Sequence, residues 1–174
     1  IRHISGHYVT VIYCYTMHAY WKQLCYLGQR YQCDDEKTIV ALGSKQLDHI
    51  RRDLRDLSFH YRKTWQMLQT PILITVLCHT GALVSGACLL VTSAALYRPY
   101  SGFVLYVLLL STLRLFLLAH FGTLVPCQFD YLMWRVRQSL PTVSWNRLTW
   151  LQNLQIKSFR VHFLPRVFGM FTLD

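Results

Sequence analysis

From Thr64 to Tyr97 the chain runs for thirty-four residues without an Asp, Glu, Lys or Arg, and from Pro71 onward nearly every residue is apolar or small. Wound as an α-helix at about 1.5 Å per residue, Pro71 to Tyr97 reaches about 40 Å, enough to cross a hydrocarbon core of about 30 Å with some tilt. A buried helix of a soluble domain rarely needs so long an uncharged run. The stretch is read as a transmembrane helix, and the residues on either side must be sorted between water and lipid.

Charge does the sorting. The chain is 53% hydrophobic yet carries 18 Lys+Arg against 8 Asp+Glu, more charge than a protein lying wholly in lipid tolerates. Nine of the basic residues fall between Lys22 and Lys63 and six between Arg135 and Arg166, whereas the junction near Pro99 has only Arg98. Because short positively charged flanks stay in the cytosol, both basic blocks are placed inside and the Arg98-Pro99-Tyr100 turn outside. A second span is read from Ser101 to Val125, closed by Pro126 and interrupted only by Arg114. An arginine at that depth costs about 2.5 to 3.5 kcal/mol on insertion scales, so it needs a polar partner, a water-filled cavity or a path to the interface.

The remaining segments follow from these two spans. His3 to Trp21 has an apolar, aromatic centre and reads as the end of a span whose start is missing, so the sequence is expected to be a fragment cut at both ends. No signal peptide is visible, and an internal span of a multispan protein would not need one. Lys22 to Gly43 is polar and punctuated and reads as a cytosolic loop. From Ser44 to Gln69 an amphipathic helix carries Leu47, Ile50, Leu54, Leu57, Tyr61, Trp65 and Leu68 on one face and charges on the other. Without a Pro or Gly before Pro71, it runs straight into the membrane span. Its mixed signs favour helix packing over a membrane-surface or nucleic-acid-binding helix. After Pro141, Ser144 caps a further helix bearing Leu148, Leu151, Leu154 and Phe159.

The fold class expected is all-α: a polytopic membrane helical bundle with long cytosolic helical extensions. Its segments are the end of a span (1–20), a cytosolic loop and amphipathic helix (21–69), a span (70–97), an outer turn (98–100), a span (101–125) and a cytosolic segment (126–174). Gly81 and Ser85, and likewise Ala82 and Gly86, are spaced for close helix approach.

Catalytic chemistry is not expected. There is no glycine-rich phosphate loop, nucleophile elbow or H-E-x-x-H pair, and both spans lack the carboxylates of a membrane hydrolase. His3 and His7 share a helix face, but the sequence places no third ligand nearby, so no metal or other cofactor is expected. The acidic cluster Asp34-Asp35-Glu36 lacks the further oxygens of a calcium loop and reads as a solvated turn or helix start. None of the six cysteines forms a C-x-x-C pair, and reduced thiols are expected.

This order of segments resembles that of one family. Tyr20-Trp21-Lys22-Gln23-Leu24 after a span, the cytosolic helix Leu47 to Leu68, two spans around a short turn, a Cys127-containing return and the ending Phe168-Gly169-Met170-Phe171-Thr172-Leu173-Asp174 together resemble the C-terminal third of an insect gustatory receptor. Met170 stands where the family's ending has a Phe, and the family's last helix, with its Thr-Tyr and distal Gln, would lie beyond Asp174.

The resemblance implies a seven-helix receptor subunit of the plasma membrane of chemosensory neurons, with an intracellular N-terminus. It further implies a homo- or hetero-tetrameric cation channel opened by a small-molecule tastant. On this reading the spans here are the end of the fourth, the fifth and the sixth. Leu47, Leu54, Leu57, Trp65, Leu151, Leu154 and Phe168 would lie on a cytosolic anchor joining subunits. A ligand pocket in the outer half of the bundle would draw on Ser85, Thr92, Ser93, Tyr97, Tyr106 and Arg114. An odorant receptor subunit is the alternative within the same class, and a transporter, membrane enzyme or structural multispan protein the alternative outside it.

The charge asymmetry makes a topological prediction. Accessibility tags at Arg98 to Tyr100 should label from outside, and tags at Lys37 or Asn153 only from the cytosol. An external Asn153 tag would overturn this orientation.

Overall fold

In a computed structural model, the structure describes residues 2–30, 44–93, 98–138, 158–164, 166–167 and 171–172, with side chains for 7–30, 48–92, 102–136 and 158–164. Three long helices dominate: α1 (Arg2–Arg30), α2 (Ser44–Ser93) and α3 (Arg98–Gln138). A single turn, α4 (Arg160–Phe163), packs beside them. Two-residue strands β1 (Arg166–Val167) and β2 (Phe171–Thr172) pair antiparallel, with Arg166 opposite Thr172 and Val167 opposite Phe171. Apart from that small pair, the fold is all-α.

The fifty-residue α2 confirms that the amphipathic helix and the apolar run are one continuous element about 75 Å long. Pro71 lies inside it and removes one rung of the ladder without ending it. Three boundaries differ from the sequence reading. First, Pro126 does not close α3, which continues to Gln138. Val125, Phe129, Leu132 and Val136 recur every three or four residues there and are all buried, so packing holds the helix through the missing amide. Second, Arg98-Pro99-Tyr100 is the first turn of α3 and not a connecting turn. Proline suits this position because its fixed φ is helical and its absent N–H has no partner in a first turn.

Third, α1 does not stop at the polar residues after Trp21 but extends to Arg30. Tyr13, Met17 and Leu24 lie along one buried stripe of it, and Gly28 faces Leu132 of α3 closely enough that a Cβ there would sit 3.5 Å from the Leu132 Cδ1. Helical spacing of apolar side chains outweighs the polar composition of that segment. The helix predicted from Ser144 lies outside the described residues.

The hydrophobic core sits at one end of the bundle. Tyr13, Met17 and Leu24 of α1 meet Ile50, Leu54, Tyr61 and Trp65 of α2, Leu118 to Val136 of α3, and Phe163 of α4. Aromatic edges knit it: Tyr61 lies 5.0 Å from Tyr20 and 5.4 Å from Phe163, centroid to centroid, and Phe163 lies 5.2 Å from Phe129. Burial, with the phenols of Tyr13 and Tyr20 adding to it, pushes the Tyr61 phenol well above its ordinary value, so it stays neutral. Its O–H points to the Met17 sulfur at 3.7 Å. Tyr20 donates to Thr64 Oγ1 at 2.8 Å while Thr64 donates to the His60 carbonyl, which orders the short α1–α2 chain of hydroxyls. Arg160 forks onto both oxygens of Asp130 at 2.8 and 2.9 Å and ties α4 to α3, though both partners are half exposed and the pair contributes at most about 1 kcal/mol.

At the other end the polarity is reversed. Between Ile72 and Leu118 the buried side chains among the described residues are Thr75, Ser111 and Arg114, whereas Leu77, Val84, Val91, Phe103, Leu109 and Phe116 are all at least 60% exposed. Two helices here are long and apolar enough to cross a membrane, and only 17% of either apolar window is buried within the chain. A core helix of a soluble domain shows the opposite ratio.

Of the two small-residue rows on α2, the structure uses one. A Cβ on Gly86 would come 2.8 Å from Leu108 Cδ2 and 3.1 Å from its Cγ, so α2 and α3 approach closely there, while Gly81 faces open space. Gly86→Val should therefore lower stability in bicelles by about 1 to 3 kcal/mol, the usual cost of overpacking. Gly81→Ala should leave it unchanged or raise it, and thermal or denaturant unfolding of the two variants separates the outcomes.

Candidate functional site

Above the core, α1, α2 and α3 stand apart around a cavity of about 750 Å³. Its walls are largely apolar, with Ile74, Phe103, Val107 and Leu110 among them, and Tyr106 contributes an aromatic face. Its polar side is a cluster built from all three helices: His7, His79, Ser111 and Arg114.

The helix geometry explains why these four meet. α2 and α3 run antiparallel, so residues equally far from the 93–98 junction lie at the same depth. His79 and Ser111 are fourteen residues before Ser93 and thirteen after Arg98, and they touch at 3.3 Å through Nδ1 and Oγ. Arg114 is three residues beyond Ser111 and thus on the same face of α3. α1 is antiparallel to α2, with Tyr13 beside Trp65 and Met17 beside Tyr61, so His7 lies toward the cavity end of α1, where it meets Arg114.

Arg114 is the centre of the cluster and is 4% exposed. Its Nη1 donates to His79 Nε2 at 3.1 Å, and its Nη2 donates to His7 Nε2. Because a guanidinium only donates, both Nε2 atoms must be acceptors and both imidazoles neutral with the proton on Nδ1. For His79 that proton points at Ser111 Oγ. The Nε of Arg114 is buried and has no hydrogen-bond partner. The described carboxylates are Asp48, Asp53, Asp56 and Asp130, all on residues that the cavity wall does not include, and Asp53 and Asp130 pair with Arg30 and Arg160. Among the described residues, the cluster thus solvates a positive charge without a carboxylate to cancel it. No group of three metal-binding side chains occurs among the described residues.

Tyr106 and Arg114, of the residues predicted to contact a ligand, line this cavity. Ser85 and Thr92 do not: both are exposed, and the Thr92 hydroxyl donates to the Cys88 carbonyl of its own helix at 2.9 Å. Tyr97 lies outside the described residues, as does the side chain of Ser93. The cavity also reaches farther from the 93–98 junction than the predicted pocket in the outer half of the bundle, because Arg114 is sixteen residues, about 24 Å, along α3 from Arg98.

Among the residues predicted to join subunits, Leu54 and Trp65 are buried in the chain's own core, and Leu57 is half-buried against it. α1 and α3 cover that face, so it is not free for a second chain. Leu151, Leu154 and Phe168 lie outside the described residues, as does the side chain of Leu47. The described cysteines are free thiols, as expected. His7 and His79 were missed as site residues. The signal that finds them is depth: a charged residue inside a span requires polar partners at its own level on neighbouring helices.

No family model, curated protein or solved structure matches this chain.

The cluster yields a stability prediction. His79→Leu removes an acceptor from a buried guanidinium, which should cost about 1 to 3 kcal/mol. Ser111→Ala, which leaves His79 Nε2 in place, should cost less, and unfolding in bicelles ranks the two.

Proposed function

We propose that this chain is part of an insect gustatory receptor subunit, a multi-pass protein of the plasma membrane of chemosensory neurons that forms a ligand-gated cation channel. The observation that carries the proposal is the cavity between α1, α2 and α3, set within the stretch where apolar side chains face outward and polar ones inward. That inverted polarity suits a lipid surround, since a bilayer rewards apolar exteriors and requires polar groups to find partners inside. A mostly apolar cavity with a few convergent polar groups is the usual form of a small-molecule site. The ending Gly169-Met170-Phe171-Thr172-Leu173-Asp174 supports the family reading.

In such a channel the tastant binds more tightly to one state of the bundle than to the other, and opening follows from that difference alone. A ligand touching α1, α2 and α3 at once can supply it if the helices shift relative to one another on opening. Assembly as a homo- or hetero-tetramer would use outward residues at the packed end, such as Phe59, Met67, Tyr131 and Trp134, in place of the Leu54 and Trp65 pair that the core consumes.

Current recordings from the full-length receptor test this reading. Tyr106→Ala and Arg114→Gln should raise the half-maximal tastant concentration tenfold or more or abolish the response, with surface expression matched. Thr92→Ala, whose hydroxyl caps its own helix away from the cavity, should leave the dose-response curve unchanged. Absence of any ligand-evoked cation current from a surface-expressed receptor would overturn the proposal, and equal behaviour of all three variants would remove the cavity from it.

A further inference from the structure

We infer that the cavity takes an organic monoanion, a carboxylate carrying an apolar body, with its charged end on Arg114. The inference rests on the reading of this cavity as a ligand site and adds the ligand's chemical class.

A guanidinium in a low-dielectric surround is costly unless it is paired, and neutral acceptors offset only part of that cost. Arg114 has two neutral acceptors, His7 and His79, and among the described residues no carboxylate lines its cavity. Of its five N–H donors, one on each Nη is used on a histidine, and the Nε donor has no partner. One further monoanion would balance the charge. A carboxylate is the matching shape, because its two oxygens can accept in parallel from adjacent N–H groups of a guanidinium.

The rest of the cavity selects the remainder of the ligand. The space of about 750 Å³ is far larger than an inorganic anion fills, and Ile74, Phe103, Val107 and Leu110 offer it nothing polar. A chloride or acetate would leave that surface without contacts, whereas an alkyl or aryl body covers it at about 25 cal/mol per Å² of apolar area removed from water. Ser111 and Tyr106 supply hydroxyls beside the charged end and along the wall. A cationic amine is disfavoured for the same reason that an anion is favoured, since it would face Arg114 in a confined space.

The test uses full-length receptor in nanodiscs of zwitterionic phosphatidylcholine at pH 7.4, with binding measured directly and apart from current. Octanoate, 1-octanol, octylamine and acetate share or omit the charge and the chain one at a time. Octanoate should bind at least tenfold more tightly than each of the other three. Arg114→Gln should weaken octanoate tenfold or more while changing octanol by less than twofold. Ala82→Phe, which fills the cavity from α2, should weaken both octanoate and octanol.

Octanol binding as tightly as octanoate, or octanoate affinity unaltered in Arg114→Gln, would overturn the inference. If Arg114→Gln does not fold, Arg114→Lys replaces it: the preference for octanoate over octanol should persist with lowered affinity, and its disappearance or an unchanged affinity overturns the proposal. Acetate matching octanoate would overturn the apolar body. Octanoate binding without any evoked current would leave the carboxylate site standing and the channel reading fallen. Tastant-evoked current that depends on Tyr106, with no octanoate binding, would do the reverse.

Discussion

A single buried cation sets the arrangement of the three helices above the core. Arg114 is nearly inaccessible, and two of its nitrogens end on imidazoles from two different helices, α1 and α2. Those contacts fix depth and rotation together. Sliding α1 by one residue would move His7 by about 1.5 Å along the axis and rotate it by about 100°, taking it off the guanidinium. Packing of apolar groups tolerates such slips more readily, because one methyl replaces another. The polar cluster is therefore what gives the upper bundle a unique register, in the way that isolated buried polar residues specify register elsewhere.

The lower end works by different physics. There Tyr13, Tyr61, Trp65, Phe129 and Phe163 pack inside and charged side chains such as Arg62 and Lys63 are exposed, the polarity of an ordinary helical core. The long helices carry both regimes without interruption, and the change occurs near Ile72 on α2 and Leu118 on α3. Anchoring by the lower core leaves the upper segments free of the need to pack tightly against one another. Except at the Gly86–Leu108 contact, where α2 and α3 close up, this leaves room for a cavity.

One buried polar group in the core has no counterpart. The Tyr13 hydroxyl is buried without a hydrogen-bond partner, at the boundary between the core and the cavity level. The ring remains because it fills space against Trp65 at 6.1 Å, and a phenylalanine would fill the same space without the unsatisfied oxygen.

Composition and periodicity alone determined that the chain is helical, that α2 is one element from the amphipathic face through the apolar run, and that Arg114 demands an environment of its own. These properties are local: they depend on charge-free length, on apolar spacing of three and four residues, and on the cost of a charge away from water. Tertiary packing decided the rest. It carried α1 to Arg30 and α3 through Pro126, because a helix end is set by what its next turn can bury. It turned Leu54 and Trp65 inward, because α1 and α3 cover them before any second chain could. It also brought His7 and His79 to Arg114 and left Ser85 and Thr92 off the cavity wall. Which polar side chains share a depth and a face depends on the relative rotation of three helices, and no single helix encodes that.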